Sequence, residues 1–132
     1  MSQENVEVVR KLFEIYNERS FAEHVELIDP EMVWDFSRVE LPDGMPRGRA
    51  EFPRFIEAWD EGFESEQMEP RELIDCGDRI VATVHHSGRG KASGIEVEQT
   101  FAMVWTLGDG RAVRMDMYPS RAEALQAVGL SE

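Results

Sequence analysis

The stretch GIEVEQTFAMVWTLGDGRAVRMDMY, residues 94–118, decides the fold of this chain. Between residues 95 and 107 a mostly apolar set alternates with a more polar one, the period-two pattern of a strand with one buried face. The first set comprises Ile95, Val97, Gln99, Phe101, Met103, Trp105 and Leu107. Gly108-Asp109-Gly110 offers the positive φ angles of a tight hairpin, so residues 111–118 are predicted to form its second strand.

The predicted strand over residues 95–107 is unusually long. At ~3.3 Å per residue it would span about 43 Å, roughly twice the length of a typical strand. Such a strand must bend in a small domain, and a bent sheet has a concave face. We therefore expect this hairpin to form the wall of a cavity, with helices as its other side.

The rest of the chain alternates between helical and strand patterns. Helices are predicted over residues 2–19, 20–28, 49–67 and 121–128, and further strands over 32–36, 68–76 and 79–88. Ser20 with Glu23 and Ser120 with Glu123 match capping boxes. Pro53 fits only in the first turn of a helix. This order predicts an α+β fold in which helices pack against one side of a curved antiparallel sheet.

The amino-acid composition limits the kinds of partner that this chain is expected to bind. The chain has 132 residues, enough for one domain with a real core, and its formal net charge is −13. Nucleic acid and anionic membrane surfaces would repel such a chain, so neither is expected as a partner. Cys76 is the single cysteine, and the N-terminal residues lack a secretory pattern. These features predict a soluble, cytoplasmic protein.

Several segments together resemble one known group of proteins. They are YNERSF, LIDPEMVWDF, GRAEFPRFIEAW and VRMDMYPSRAEALQAVGL. The chain resembles the nuclear transport factor 2-like superfamily over almost its whole length, and within it the SnoaL-like proteins. The resemblance implies a single cone-shaped, cystatin-like α+β roll with a deep apolar pocket, often dimeric through the sheet. Members include polyketide cyclases, ketosteroid isomerases, dehydratases and hydrolases as well as binding modules, so the fold alone does not define the function.

The ketosteroid isomerases allow a comparison of single residues. Their catalytic base is an Asp on the strand after the second helix, and Asp35 lies at the matching place. Their two oxyanion donors correspond to Leu12 and Ala102, which cannot donate. Tyr16, one helical turn beyond Leu12, could replace them only in part. The resemblance therefore argues against a standard ketosteroid isomerase.

Two carboxylates are candidates for a catalytic base. Asp35 lies between Trp34 and Phe36; a cavity lined by aromatic side chains would raise its pKa, as a base requires. Alternatively, Asp35 faces solvent or caps a loop. Asp116 shares a strand face with Arg114 and Tyr118, and that face either lines the pocket or is an exposed edge with an ion pair.

The histidines carry a weaker signal. His85 and His86 are adjacent on a strand and so point to opposite faces. His86 has the parity of apolar residues and is the better pocket candidate, although a structural role is the alternative. Because no other His or Cys stands at ligand spacing, a metal site is not expected. The reaction considered below needs no cofactor, and none is expected.

Aromatic residues suit a flat, apolar ligand. They are core residues first, and some are expected to line the cavity together with Arg114 and Tyr118. The aromatic candidates are Trp34, Trp59, Phe63, Phe101 and Trp105.

The sequence predicts a pocket protein for a hydrophobic, cyclic small molecule. As an enzyme it would be a cofactor-independent isomerase, cyclase or dehydratase that abstracts a proton beside a carbonyl, with Asp35 or Asp116 as base. Tyr16, His86 or Tyr118 would donate to the oxyanion. The alternative is a non-catalytic ligand-binding or dimeric module. The other face of the long strand carries Thr100, Ala102, Val104 and Thr106. This set is too apolar for full exposure, which predicts a homodimer through the outer sheet face.

Overall fold

The long hairpin forms the centre of the sheet. A computed structural model describes residues 2–18, 20, 23–39, 61 and 63–130. It contains the helices α1 (Ser2–Glu18) and α2 (Arg121–Ala127) and the strands β1 (Ile28–Asp35), β2 (Phe63–Asp75), β3 (Arg79–Gly90), β4 (Glu96–Gly108) and β5 (Arg111–Tyr118). The strands form one curved sheet in the order β1-β5-β4-β3-β2. The predicted α+β class is confirmed.

Local chemistry explains the hairpin and the curvature. Asp109 and Gly110 have φ angles of 53° and 76°, as the turn chemistry predicted. Register shifts interrupt the ladders between Thr106 and Leu107 and twice along β2. Such bulges bend the strand that carries the extra residue and increase its twist, and here the extra residues lie on β5 and β2, on either side of the central strands.

The sheet is not wholly antiparallel, which corrects the prediction. β1 pairs in parallel with β5, and Asp35 lies opposite Asp116 in this register. A hairpin dictates the antiparallel direction of β4 and β5, whereas a long stretch of chain separates β1 from β5. The turn residues therefore carry no information on the direction of β1.

The second helix predicted over residues 20–28 is also wrong in its described part. Only one 3-10 turn, Val25–Leu27, is present, and Ile28 already begins β1. Pro30, expected to end a helix, lies within β1 and is exposed. Since β1 is an edge strand, a proline there need not donate to a ladder.

The predicted helix over residues 49–67 must be shortened. Residues 49–60 lie outside the described residues, but Phe63 already belongs to β2, which pairs with β3. The spacing of aromatic residues extended the helical pattern too far. Glu66 and Met68 follow the period of a strand instead.

The sheet has two faces, which we name after the helices that cover them. On the α1 face, Trp34, Met103 and Trp105 pack against α1, and the Phe13 and Trp105 rings meet edge to face at 6.1 Å. On the α2 face, Ala102 and Val104 are covered by side chains of α2. The alternation along β4 is thus confirmed, and both faces carry apolar clusters.

The α2 face bears on the predicted homodimer. Ala102 is 0% exposed and Val104 3% exposed in the single chain, because Ala124 and Leu125 cover them. The apolar character of these positions therefore has an explanation within one chain. The homodimer through this face stays a prediction.

We expect Leu125→Ala to lower the free energy of unfolding by about 2–5 kcal/mol, because it removes buried side-chain volume over β4. Leu125 is only 4% exposed. Gln126→Ala, on the exposed side of α2, is the matched control and should change stability by less than about 0.5 kcal/mol. Urea unfolding measures both; equal effects would contradict the packing described for α2.

Candidate functional site

Four polar side chains meet on the α1 face, three of them buried beside the apolar cluster and one, Gln99, exposed; we call them the interior cluster. They are Tyr16, Glu66, His86 and Gln99. His86 Nε2 lies 2.7 Å from Glu66 Oε2, and the Tyr16 hydroxyl donates to Glu66 Oε1 at 2.7 Å. Gln99 Nε2 lies 3.1 Å from His86 Nδ1. The side chains of His86 and Glu66 are 0% and 2% exposed.

Strand register places these groups together. His86 on β3 lies between Met68 of β2 and Gln99 of β4. Glu66 is two residues before Met68, so it projects from the same face. The hydrogen-bonded side chains therefore cross three neighbouring strands, diagonally from Glu66 to His86 and directly across from His86 to Gln99.

Helix α1 is fastened to β2 at the same level. Asn17 donates through Nδ2 to the carbonyl oxygen of Met68 at 2.7 Å and accepts from the Met68 amide at 2.9 Å. This paired contact fixes α1 against the edge strand. It sets Tyr16, the neighbour of Asn17, within reach of Glu66.

The hydrogen bonds of the interior cluster define one tautomer of His86. With the Gln99 amide donating to Nδ1, that nitrogen carries the lone pair, and Nε2–H donates to Glu66. A carboxylate behind one ring nitrogen orients the imidazole and leaves the other nitrogen as a hydrogen-bond acceptor. This arrangement can accept a proton at Nδ1.

A second polar group, the edge cluster, lies on the α2 face beside the β1 edge; it comprises Asp35, Arg38, Arg114, Asp116 and Tyr118. Arg114 Nε donates to both Asp116 oxygens, at 3.0 and 2.9 Å, and Arg114 Nη2 donates to Asp35 at 3.1 Å. Arg38 lies 3.7 Å from Asp35 and stands over the Tyr118 ring, 4.5 Å from its centroid. This geometry is that of an ion-pair network.

The electrostatics of the edge cluster do not match those of a general base. The hydrogen bonds from Ser37 hold the pKa of Asp35 below its usual value, with Arg38 and Arg114 adding to the effect. Hydrogen bonding to Asp116 in turn raises the pKa of Arg114. Asp35 therefore stays ionised and paired, whereas a base working near neutrality needs a raised pKa.

The structure divides the predicted site residues between the two faces. Tyr16, His86, Trp34, Phe101 and Trp105 lie on the α1 face. Asp35, Arg114, Asp116 and Tyr118 lie on the α2 face. Trp59 lies outside the described residues, and Phe63 is the first residue of β2. The two aspartates thus share no site with Tyr16 and His86, and a catalytic role for them stays a prediction that their position disfavours.

Sequence analysis missed Glu66 and Gln99. Glu66 was missed because the predicted helix over residues 49–67 included it, so it was not considered as a strand residue. Gln99 gave a usable signal, because it is the one polar residue in the odd-numbered set from Ile95 to Leu107. A polar side chain on a strongly apolar face must find partners, and His86 is the residue opposite.

The part of the chain that the structure describes contains neither a group of metal ligands nor a membrane-spanning helix. Among residues 2–18, 20, 23–39, 61 and 63–130, no three His, Cys, Asp or Glu side chains are grouped as metal ligands. Within the same residues, neither helix is long and apolar enough to cross a membrane.

The sequence matches a known protein family. The family model of the SnoaL-like domain matches residues 9–115. The chain belongs to the SnoaL-like domain family. No curated protein sequence matches it significantly.

Solved structures share the fold at low sequence identity. A protein from Jannaschia sp. CCS1 described as a SnoaL-like polyketide cyclase has 20% identity and a TM-score of 0.76, covering 96% of this chain and 92% of its own. An NTF2-like protein of Burkholderia pseudomallei K96243 has 22% identity and a TM-score of 0.74, covering 96% and 98%. TerC, co-crystallised with polyporic acid, has 20% identity and a TM-score of 0.74, covering 95% and 98%.

We expect the Asp35 carboxyl carbon to titrate in NMR with a midpoint below that of an ordinary aspartate. A folded-state pKa that is depressed stabilises the fold above the unfolded pKa, and this stabilisation is lost as the pH falls through the folded value. Asp35→Asn should therefore be less stable than the parent at pH 7, with the difference shrinking in acid. A midpoint above the usual range would contradict the ion-pair assignment and favour Asp35 as a base.

Proposed function

We propose that this chain binds a hydrophobic, cyclic small molecule against the α1 face and moves a proton on it, with His86 as base. Glu66 would hold the imidazole by its Nε2–H. The proposed reaction class is cofactor-independent proton abstraction beside a carbonyl, as in an isomerase, cyclase or dehydratase. Membership of the SnoaL-like family supports the choice of a small molecule as ligand.

The observation that carries the proposal is the burial of an ionisable pair in an apolar interior. Glu66 and His86 are almost completely buried among residues such as Val84, Phe101 and Met68. Replacing a buried ion pair by well-packed apolar residues of similar volume often leaves the stability of a protein unchanged or raises it. Stability alone therefore does not explain this pair. Buried titratable groups with a specific charged partner are candidates for functional sites, so a chemical role is the better explanation.

The proton balance of the proposed step is simple. His86 Nδ1 takes a hydrogen from the carbon next to the ligand carbonyl, which leaves an enolate and an imidazolium. Glu66, hydrogen-bonded to Nε2–H, stabilises the imidazolium, and Tyr16 keeps the carboxylate in place. The proton then returns from Nδ1 to the same carbon or to a conjugated one.

A non-catalytic binding module is the second candidate, and a specific observation favours it. Both ring nitrogens of His86 are already engaged, by Glu66 and by Gln99. In addition, the positions that match the oxyanion donors of ketosteroid isomerases hold Leu12 and Ala102, and Ala102 lies on the α2 face. TerC, a protein of similar fold, was co-crystallised with the small molecule polyporic acid, which is consistent with a ligand-binding role.

Deuterium exchange of 2-tetralone in D2O, followed by proton NMR, tests the proposal. This cyclic ketone is apolar and has acidic hydrogens beside its carbonyl. We expect exchange above the buffer rate, and a fall of about 10²- to 10⁴-fold in His86→Gln, because glutamine can bond Glu66 but is no base. Asp35→Asn should retain the exchange.

The three possible outcomes are distinct. Loss of exchange in Asp35→Asn with retention in His86→Gln would return the base to Asp35 and overturn the proposal. Binding of 2-tetralone without any exchange above buffer, measured by NMR line broadening, would support the binding module. Neither binding nor exchange would contradict both candidates for this ligand class.

A further inference from the structure

We propose that the indole N–H of Trp105 donates a hydrogen bond to an uncharged carbonyl oxygen of the ligand that lies against the α1 face. The inference rests on the proposed function, because it takes the α1 face as the ligand site. It adds the protein group that recognises the ligand carbonyl, and it holds whichever residue acts as the base.

The N–H group of Trp105 is a buried donor that lacks an acceptor. Trp105 is 8% exposed, and its Nε1 atom has no hydrogen-bond partner among the residues that the structure describes. Buried tryptophan N–H groups usually have a partner, since an unpaired donor inside an apolar region is unfavourable. The described residues therefore leave one hydrogen bond to be made at this position.

The neighbours of Trp105 explain why the protein chain does not supply the acceptor. In the sheet, Trp105 lies opposite Ile80 of β3 and Met115 of β5, which are both buried. Met103 is next to it on the same face of β4, and the Phe13 ring of α1 meets its ring edge to face at 6.1 Å. Each of these four neighbours is apolar, so the donor lies within an apolar surface.

These apolar surroundings favour a ligand oxygen over a water molecule as the acceptor. A buried water typically makes about two to four hydrogen bonds, and these neighbours offer it only the Trp105 N–H. A carbonyl oxygen needs only this one donor, because the rest of the ligand packs against the apolar side chains. An ionised carboxylate would need further donors or a positive charge, which limits the acceptor to an uncharged oxygen.

Trp105 and the interior cluster lie along one continuous apolar surface. Phe13, which contacts Trp105, is one helical turn before Tyr16 of the interior cluster on α1. Phe101 and Met103 precede Trp105 on the same face of β4. A ring that packs on these side chains can therefore present its carbonyl to Trp105 while it lies beside the interior cluster.

Proton–nitrogen NMR of the native protein with 2-tetralone and with tetralin tests this inference directly. The two probes have the same bicyclic skeleton, but only the ketone can accept a hydrogen bond. We expect 2-tetralone to move the Trp105 indole proton to higher frequency, as hydrogen bonding does, whereas tetralin causes only the small change that any nearby aromatic ring produces. Trp105→Phe identifies the resonance, and the Trp34 indole on the same face is the internal comparison, with similar shifts for both probes.

Dissociation constants of the same two probes give a second, quantitative test. In Trp105→Phe, which keeps an aromatic ring but removes the donor, we expect the preference for 2-tetralone over tetralin to fall by about two- to tenfold, the effect of losing one hydrogen bond. Phe13→Leu is the matched control, because it alters the packing around the Trp105 ring and removes no donor. It should leave the preference unchanged even if both probes bind more weakly.

The outcomes separate this inference from the proposed function. Equal shifts of the Trp105 indole proton with both probes, the same preference in the parent and in Trp105→Phe, or failure of 2-tetralone to bind would each overturn the inference. Binding of 2-tetralone with the Trp105 shift but without deuterium exchange would retain the inference and reject His86 as the base. Exchange that depends on His86 without a Trp105 shift would do the reverse.

Discussion

The contact between Glu66 and His86, 2.7 Å long and sealed from solvent, is the constraint on which the interior of this protein depends. A buried carboxylate is tolerated only when its oxygens are hydrogen-bonded, and here Tyr16 and His86 supply the donors. Those donors come from α1 and β3, and the contact between Gln99 and His86 extends the series of hydrogen bonds to β4. Four elements must therefore keep their relative positions within a fraction of an ångström, and the polar interior cluster fixes the geometry that apolar packing alone leaves adjustable.

Asn17 explains how this precision is maintained at the edge of the sheet. β2 is an edge strand, and edges are where register slips are least restrained. The side-chain amide of Asn17 occupies the N–H and C=O of Met68 as a neighbouring strand would, so the edge is partly paired by a helix. Since Met68 is the partner of His86 and Glu66 lies two residues away, this clamp positions the carboxylate as well. At the opposite edge, Arg114 of β5 links this strand to the edge strand β1 by donating to Asp35.

Short-range sequence patterns predict much of this architecture, whereas the remaining features depend on contacts between residues far apart in the sequence. The turn residues Asp109 and Gly110 and the alternation along β4 sufficed to predict the central hairpin. The capping box of Ser120 and Glu123 sufficed to predict the start of α2. The direction of β1 depends on a partner more than seventy residues away, which no local pattern reports. Asp35 was chosen because aromatic neighbours flank it, but Trp34 and Phe36 fill the α1 face and so turn Asp35 to the other side. Glu66 was lost because helical and strand periods overlap near residue 63, whereas the parity of His86 with Ile80, Ala82 and Val84 was predicted correctly.

The protonation pattern of the His86 ring is the most direct test of this account. In the native protein at neutral pH, long-range proton–nitrogen NMR correlations distinguish a ring nitrogen that carries a proton from one that carries a lone pair, and His86→Gln identifies the resonances. The account predicts a lone pair on Nδ1 and a proton on Nε2, held by Glu66, with His85 on the α2 face as an internal comparison. A proton on Nδ1, in either the opposite tautomer or the imidazolium, would mean that Gln99 presents its oxygen and that His86 has no lone pair to offer a ligand, which would contradict the assignment of His86 as the base.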